Sequence, residues 1–301
     1  ALRREHVRQI IRREHVRRLE DLVERRLLLH FAPRLTRAML DDLASLAALY
    51  EARIGRLWRP LADTTMDPII AARRSLPWGT WQRSEDYYSE GRLIWLDADT
   101  LIRERSRGRR SLDDFAKAFF GMNDGDWGTL TYTRQDVIDT MNAVEPYDWE
   151  SFFRERVDNV ARQAPLEGLE RGGYRLVYID TPPETWRAAE ARARNANLTY
   201  SIGLTANAEG RLTSVQWDSP AFRAGLSTAA TLVSVNDRAF SVERLKEAVA
   251  ATGSSSPLRL QFRLGDEIRT VTLDYAGGHR YPKLEPIPGR RRYIDDILAP
   301  R

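Results

Sequence analysis

The chain holds four histidines and no cysteine, so its capacity for metal and nucleophilic chemistry can be followed residue by residue. A zinc peptidase needs H-E-x-x-H on a helix. That spacing sets two imidazoles on one face beside a glutamate that activates water, with a third ligand downstream. The histidines here are His6, His15, His30 and His279, and no two stand four residues apart. "IIRREH" (Ile10 to His15) comes nearest to the inverted motif H-x-x-E-H, but Ile11 fills the first ligand position. His6 and His15 are nine residues apart, which on a helix turns them roughly 180° from one another. They read as solvated surface residues. "NDGDWG" (Asn123 to Gly128) spaces oxygen ligands like a calcium loop, yet no bidentate glutamate follows at the twelfth position; it reads as a turn. No serine lies in a G-x-S-x-G context, His279 has no evident acid partner, and no phosphate-cradling glycine motif occurs. The lack of cysteine also excludes disulfides, thiolate catalysis and Cys-bound zinc.

The elements that would carry any site follow from composition and period. The 301 residues are 42% hydrophobic and 30% charged, enough for two domains and ordinary for a globular chain. Of the 47 basic residues only Lys117, Lys246 and Lys283 are lysine. The arginines are mixed with acids rather than gathered on a basic face with aromatics, so no nucleic-acid partner is expected. No apolar window reaches the ~18 residues of a membrane span, and no apolar signal region is evident. Cytoplasm and periplasm both remain open as compartments.

Residues 1–34 predict an Arg-rich amphipathic helix, with 9 Arg against 5 acids up to Phe31. Such a helix docks on its own domain or on an anionic surface. Residues 35–165 predict an α-helical domain: a helix from Thr36 through Arg53, then an irregular stretch with Pro60, Pro68 and Pro77. A buried helix follows from about Glu85 to Arg105, too apolar for a surface. Capping-type starts stand at Ser111/Asp114, Thr133/Asp136 and Asp148. Residues 166–197 predict a strand, "GGYRLVYID", and a charged linker after Pro182 and Pro183. Residues 198–276 read as β-rich with one helix, Ser241 to Ala251, and residues 277–301 as an extended tail.

The β-rich segment resembles a PDZ domain in the strand order of bacterial protease-associated modules. "YSIGL" (Tyr200, Ser201, Ile202, Gly203, Leu204) looks like the carboxylate-binding loop. "DSPAFRAGL" looks like the following turn and short helix, and "LVSVNDRAF" like the next strand and turn, with Asp237 where glycine is usual. Ser241 to Ala251 would be the groove helix. The resemblance implies a peptide or protein C-terminus as partner, added as a strand to the sheet edge beside that helix. The amides around Ile202, Gly203 and Leu204 would hold its carboxylate. The alternative is a module that packs on its own catalytic domain and binds nothing in trans.

"DYYSEGRLIWLDADTLIRERSRGRRSLDDF" is similar to a helix of the glycyl aminopeptidase family (metallopeptidase family 61), zinc enzymes that end in a PDZ domain. "TYTRQDV", "PYDWESFFRERV", "APLEGLERGGYRLVY" and "GGHRYPKLEPIPG" extend the resemblance from about Leu35 to the C-terminus. It implies an α+β multidomain fold: a thermolysin-like C-terminal helical domain, then the PDZ domain. It further implies that Tyr88 donates a hydrogen bond to the oxyanion of the tetrahedral intermediate. Tyr87 would line the pocket or sit in the core, and Gly91 would let the helix approach a neighbouring backbone. Glu90 stands where the family often has Lys. Zinc is expected in the complete family enzyme and no cofactor in this chain. The expectation is therefore the C-terminal part of a peptide hydrolase, inactive alone, its zinc domain being a partner if the chain is a fragment. The alternative is a non-enzymatic peptide-binding scaffold.

Overall fold

The structure is a computed structural model that describes residues 36–70, 76, 78–121, 131–160, 164–254 and 256–299. The expected N-terminal helix, three of the histidines and the "NDGDWG" turn lie outside the described residues. The chain is an α+β protein of more than one domain.

Helix α1 spans 36–52 and α2 spans Asp86–Ser106. Between them the prolines leave only short helical turns, as expected. Helices α3 (Leu112–Phe120) and α4 (Arg134–Val144) each open on a complete capping box, Ser111 with Asp114 and Thr133 with Asp136. Helix α5 (Trp149–Phe153) is capped by Asp148 and runs into a π-turn, Arg154–Asp158. Their apolar faces meet around Ile94, Ile102, Phe115, Phe119, Met141 and Trp149.

Helix α2 buries acids as well as apolar residues. Asp86, Glu90, Asp97 and Asp99 are all buried along it, and each finds basic or amide partners. Fully buried Asp97 pairs with Arg156 at 2.6 Å and with Arg171. Close backbone approach occurs at Gly168 of α6 (Glu167–Arg171), not at Gly91. A Cβ on Gly168 would stand 2.6 Å from the Asp97 Cα, whereas one on Gly91 would meet nothing within 4 Å.

Strand β1 (Tyr174–Ile179) follows, and its antiparallel partner is β9 (Tyr281–Pro286) near the C-terminus. Two expectations change here. The charged linker forms helix α7 (Glu184–Ala193), because its alanines and charges favour helix once the two prolines are passed. The tail does not trail: after β9 it makes α10 (Tyr293–Leu298), with Ile294 buried against Leu169 and Leu284. Helix α1 lies over this junction through Ala44 and Ala47.

Everything between β1 and β9 is one β-rich module. Strands β2 (Asn195–Leu198), β3 (Leu204–Asn207) and β4 (Leu212–Val215) form a sheet in that order. A short helix α8 (Pro220–Arg223) leads to β5 (Thr231–Val235) and β6 (Arg238–Ala239). Helix α9 (Val242–Thr252), β7 (Leu258–Leu264) and β8 (Glu267–Leu273) complete the module, whose second sheet has the order β6-β5-β7-β8. The turn that joins β5 to β6 has positive φ at both Asn236 (47°) and Asp237 (62°). That is the geometry of a tight hairpin turn, so Asp237 serves where glycine was expected. Strands β2 and β3 form a hairpin bent at Thr199 to Gly203, within the turn read from "YSIGL".

Candidate functional site

Two places gather the residues of interest. The first is the start of α2. It follows two non-glycine residues in left-handed conformation, Arg83 (φ 56°) and Glu85 (φ 46°). Such conformations cost on the order of 1–3 kcal/mol each and persist only where their surroundings fix them. The surroundings here are a buried network of ions. The Arg83 Nε donates to Asp86 Oδ2 at 2.9 Å, and its Nη1 to the Arg59 carbonyl at 2.7 Å. Arg53 donates to Asp86 Oδ1 at 2.5 Å. Glu90 is fully buried between Arg56 and Arg83. Burial, and then the Arg83 charge, lower the Arg56 pKa to about 10. Burial, and then Asp86, push the Tyr50 phenol up to about 12.

On this platform the two tyrosines part. Tyr87 is half-buried against the helical core, whereas Tyr88 is 62% exposed with its ring over Tyr87 at 4.4 Å between centroids. The Tyr88 phenol thus stands at the outer face of the α2 N-terminus.

The second place is the turn from Tyr200 to Leu204. Gly203 has φ 81°, and a Cβ there would fall 2.0 Å from the Ser219 Cβ, so only glycine fits. Ile202 and Leu204 are fully buried in the module's core. The Ser201 amide (3.1 Å) and the Gly203 amide (3.0 Å) both donate to the Leu198 carbonyl. The Ser201 hydroxyl accepts from the Arg280 amide at 3.0 Å. Tyr200 turns to α1, where its hydroxyl donates to the Ser45 carbonyl at 3.1 Å; burial raises its pKa.

The edge of β3 beside this turn is paired along its length by β2, in the register Leu198↔Leu204 to Asn195↔Asn207. Ala196 and Leu198 point into the module's core and are 0% and 1% exposed. The other side of β2 meets α7 and α9. Buried Glu190 of α7 accepts from the Asn197 amide at 2.7 Å and from Lys246 of α9 at 2.6 Å. Sequence reasoning missed β2, Glu190 and Lys246. The alternation in "NANL" was the available signal, hidden because it follows a charged helical run.

Among the described residues no group of three or more His, Asp or Glu side chains could hold a metal ion. His279 is half-buried, its pKa lowered by burial and then by Lys246, and its ring lies on Tyr281. The described residues therefore do not fit the zinc that the family resemblance implies.

No family model matches the sequence. No curated protein matches it significantly. The fold is similar to a crystal structure of an aminopeptidase N family protein from Idiomarina loihiensis, with 18% sequence identity and a TM-score of 0.53. The likeness covers 87% of this chain and 45% of that one, so the chain spans under half the length of its structural relative and shares with it a fold.

Proposed function

We propose that this chain is the C-terminal part of a glycyl-aminopeptidase-like zinc metallopeptidase. In this reading residues 35–165 close the cleft of a zinc domain that removes small N-terminal residues. Tyr88 stabilises the oxyanion, and residues 198–276 act as a PDZ-like module for peptide. The observation that carries the reading is the outward phenol of Tyr88, at the start of a helix anchored by a buried ion network, on a fold shared with an aminopeptidase N family protein. A phenol in that position does its work only when it faces a developing oxyanion, where one donor contributes about 3–4 kcal/mol. The described residues hold no donor set for zinc, so no catalytic step is assigned to them.

The β-rich module with its Gly203 turn favours a second reading, a non-enzymatic peptide-binding scaffold. Reading the coding frame upstream of Ala1 separates the two. An in-frame H-E-x-x-H with a downstream glutamate supports the peptidase. A start codon adjoining Ala1, with no such motif before it, supports the scaffold and sinks the first proposal.

A further inference from the structure

The geometry points to a tethered ligand: strand β2, Asn195–Leu198, fills the peptide groove of the β-rich module, and a peptide with a C-terminal leucine competes with it. This rests on the PDZ-like reading of residues 198–276 and is independent of the peptidase reading.

Three observations carry it. First, β2 runs antiparallel to β3 and takes the strand edge that an added peptide would take, and α9 packs directly on it. Second, Leu198 ends that strand where a peptide's last residue would lie. Its side chain is 1% exposed in the apolar core, and its carbonyl accepts the Ser201 and Gly203 amides. The Gly203 amide is one of those that would otherwise cradle a terminal carboxylate, and the Ser201 amide adjoins them. A free carboxylate in the same place would accept them more strongly, because charge-assisted bonds are roughly twice as strong as neutral ones. Third, the outer edge of β2 bonds to the buried Glu190, which also pairs with Lys246 of the groove helix. Four residues, two apolar anchors at Ala196 and Leu198 and one carboxylate latch form a small contact, of the size that opens locally without global unfolding.

The occupant defines the ligand class. Alternate residues face the core, so the groove takes a small residue at the Ala196 place and a branched aliphatic at the Leu198 place, with polar residues between. Tethering makes β2 a competitor at an effective concentration in the millimolar range, so a free peptide binds the intact chain weakly.

The chain has no cysteine, which allows a clean lock. Asn197 and Thr205 stand directly opposite in the hairpin, and the Asn197 amide bonds to Glu190; directly opposed residues of an antiparallel pair come close enough for a disulfide. In the Asn197→Cys/Thr205→Cys variant of the full chain, affinity for a fluorescent RNANL peptide with a free carboxylate is measured by anisotropy, oxidised and reduced. The reduced form is expected to bind about tenfold or more tightly than the oxidised one. Glu190→Ala is expected to tighten binding severalfold, and the C-terminal amide of the peptide to weaken it about tenfold. Equal affinity in the oxidised and reduced forms overturns the tethered strand, since the peptide then binds elsewhere. No binding in any form overturns the groove itself, and the PDZ-like reading with it. The disulfide comparison uses one polypeptide of one fold, so the test stands even if Glu190→Ala unfolds.

Discussion

At the residue scale, the start of α2 shows how a helix with four buried acids is made to fold. Glu90 is the most exacting position, since its removal leaves Arg56 and Arg83 both buried and under-paired. Breaking a buried ion cluster by deleting one partner costs about 3–5 kcal/mol. Glu90→Ala should therefore lower the unfolding free energy in urea by that amount, shifting the midpoint without changing the slope. Gly203→Ala is a second strict test. The new methyl would sit 2.0 Å from the Ser219 Cβ at a φ of 81°, and a loss of roughly 2 kcal/mol or more in thermal unfolding is expected. The two positions differ in how far the sequence revealed them. Gly203 sits within a recognisable five-residue turn. Glu90 looked like a departure from a lysine, because its partners lie seven and thirty-four residues away and no local pattern links them.

At the element scale, what was local in the chain was legible. Both capping boxes and the Asp148 cap are in place, since a cap is decided within four residues. The strand and turn read from "LVSVNDRAF" are β5 and β6, and the helix read at Ser241 to Ala251 is α9. The hairpin β2–β3 and the helix α7 were not legible. The turn between β2 and β3 is stabilised by the Leu198 carbonyl, and Glu190 of α7 acts through contacts to β2 and α9. Leu198→Ala should cost about 2–5 kcal/mol, as for a truncated core leucine, and expose the β3 edge to hydrogen exchange. The junction of the tail with α9 carries a pH dependence. His279 faces Lys246, Glu190 and Asp180, and its pKa is lowered from 6.5, first by burial. A base depressed in the folded state contributes stability that is present above its unfolded pKa and lost as pH falls through the folded one. Stability should thus fall below about pH 6.5, and His279→Gln should flatten that slope in pH-stepped thermal melts.

At the scale of the whole molecule, the β-rich module is an insertion between two paired strands. The chain departs through β1 and returns through β9, so the helical part and the module share a neck of six paired residues. Helix α1 and α10 brace that neck, with Tyr174 bonded to Asp295 at 2.5 Å and Tyr178 to Glu51 at 2.5 Å. The bracing explains why the tail, read from its prolines and glycines as extended, folds back instead. Its partners are 100 residues or more upstream. The helical part presents Tyr88 outward and holds no metal cluster among the described residues. The central claim of the proposal above is that this chain by itself neither holds a catalytic zinc nor turns over peptide substrates.

The most direct test measures tightly bound zinc and hydrolysis of a glycyl anilide together, on the purified chain after dialysis against zinc. The account expects zinc well below one ion per chain and no turnover above the buffer rate. One zinc per chain that survives dialysis, with hydrolysis abolished by chelation and restored by zinc, would contradict it.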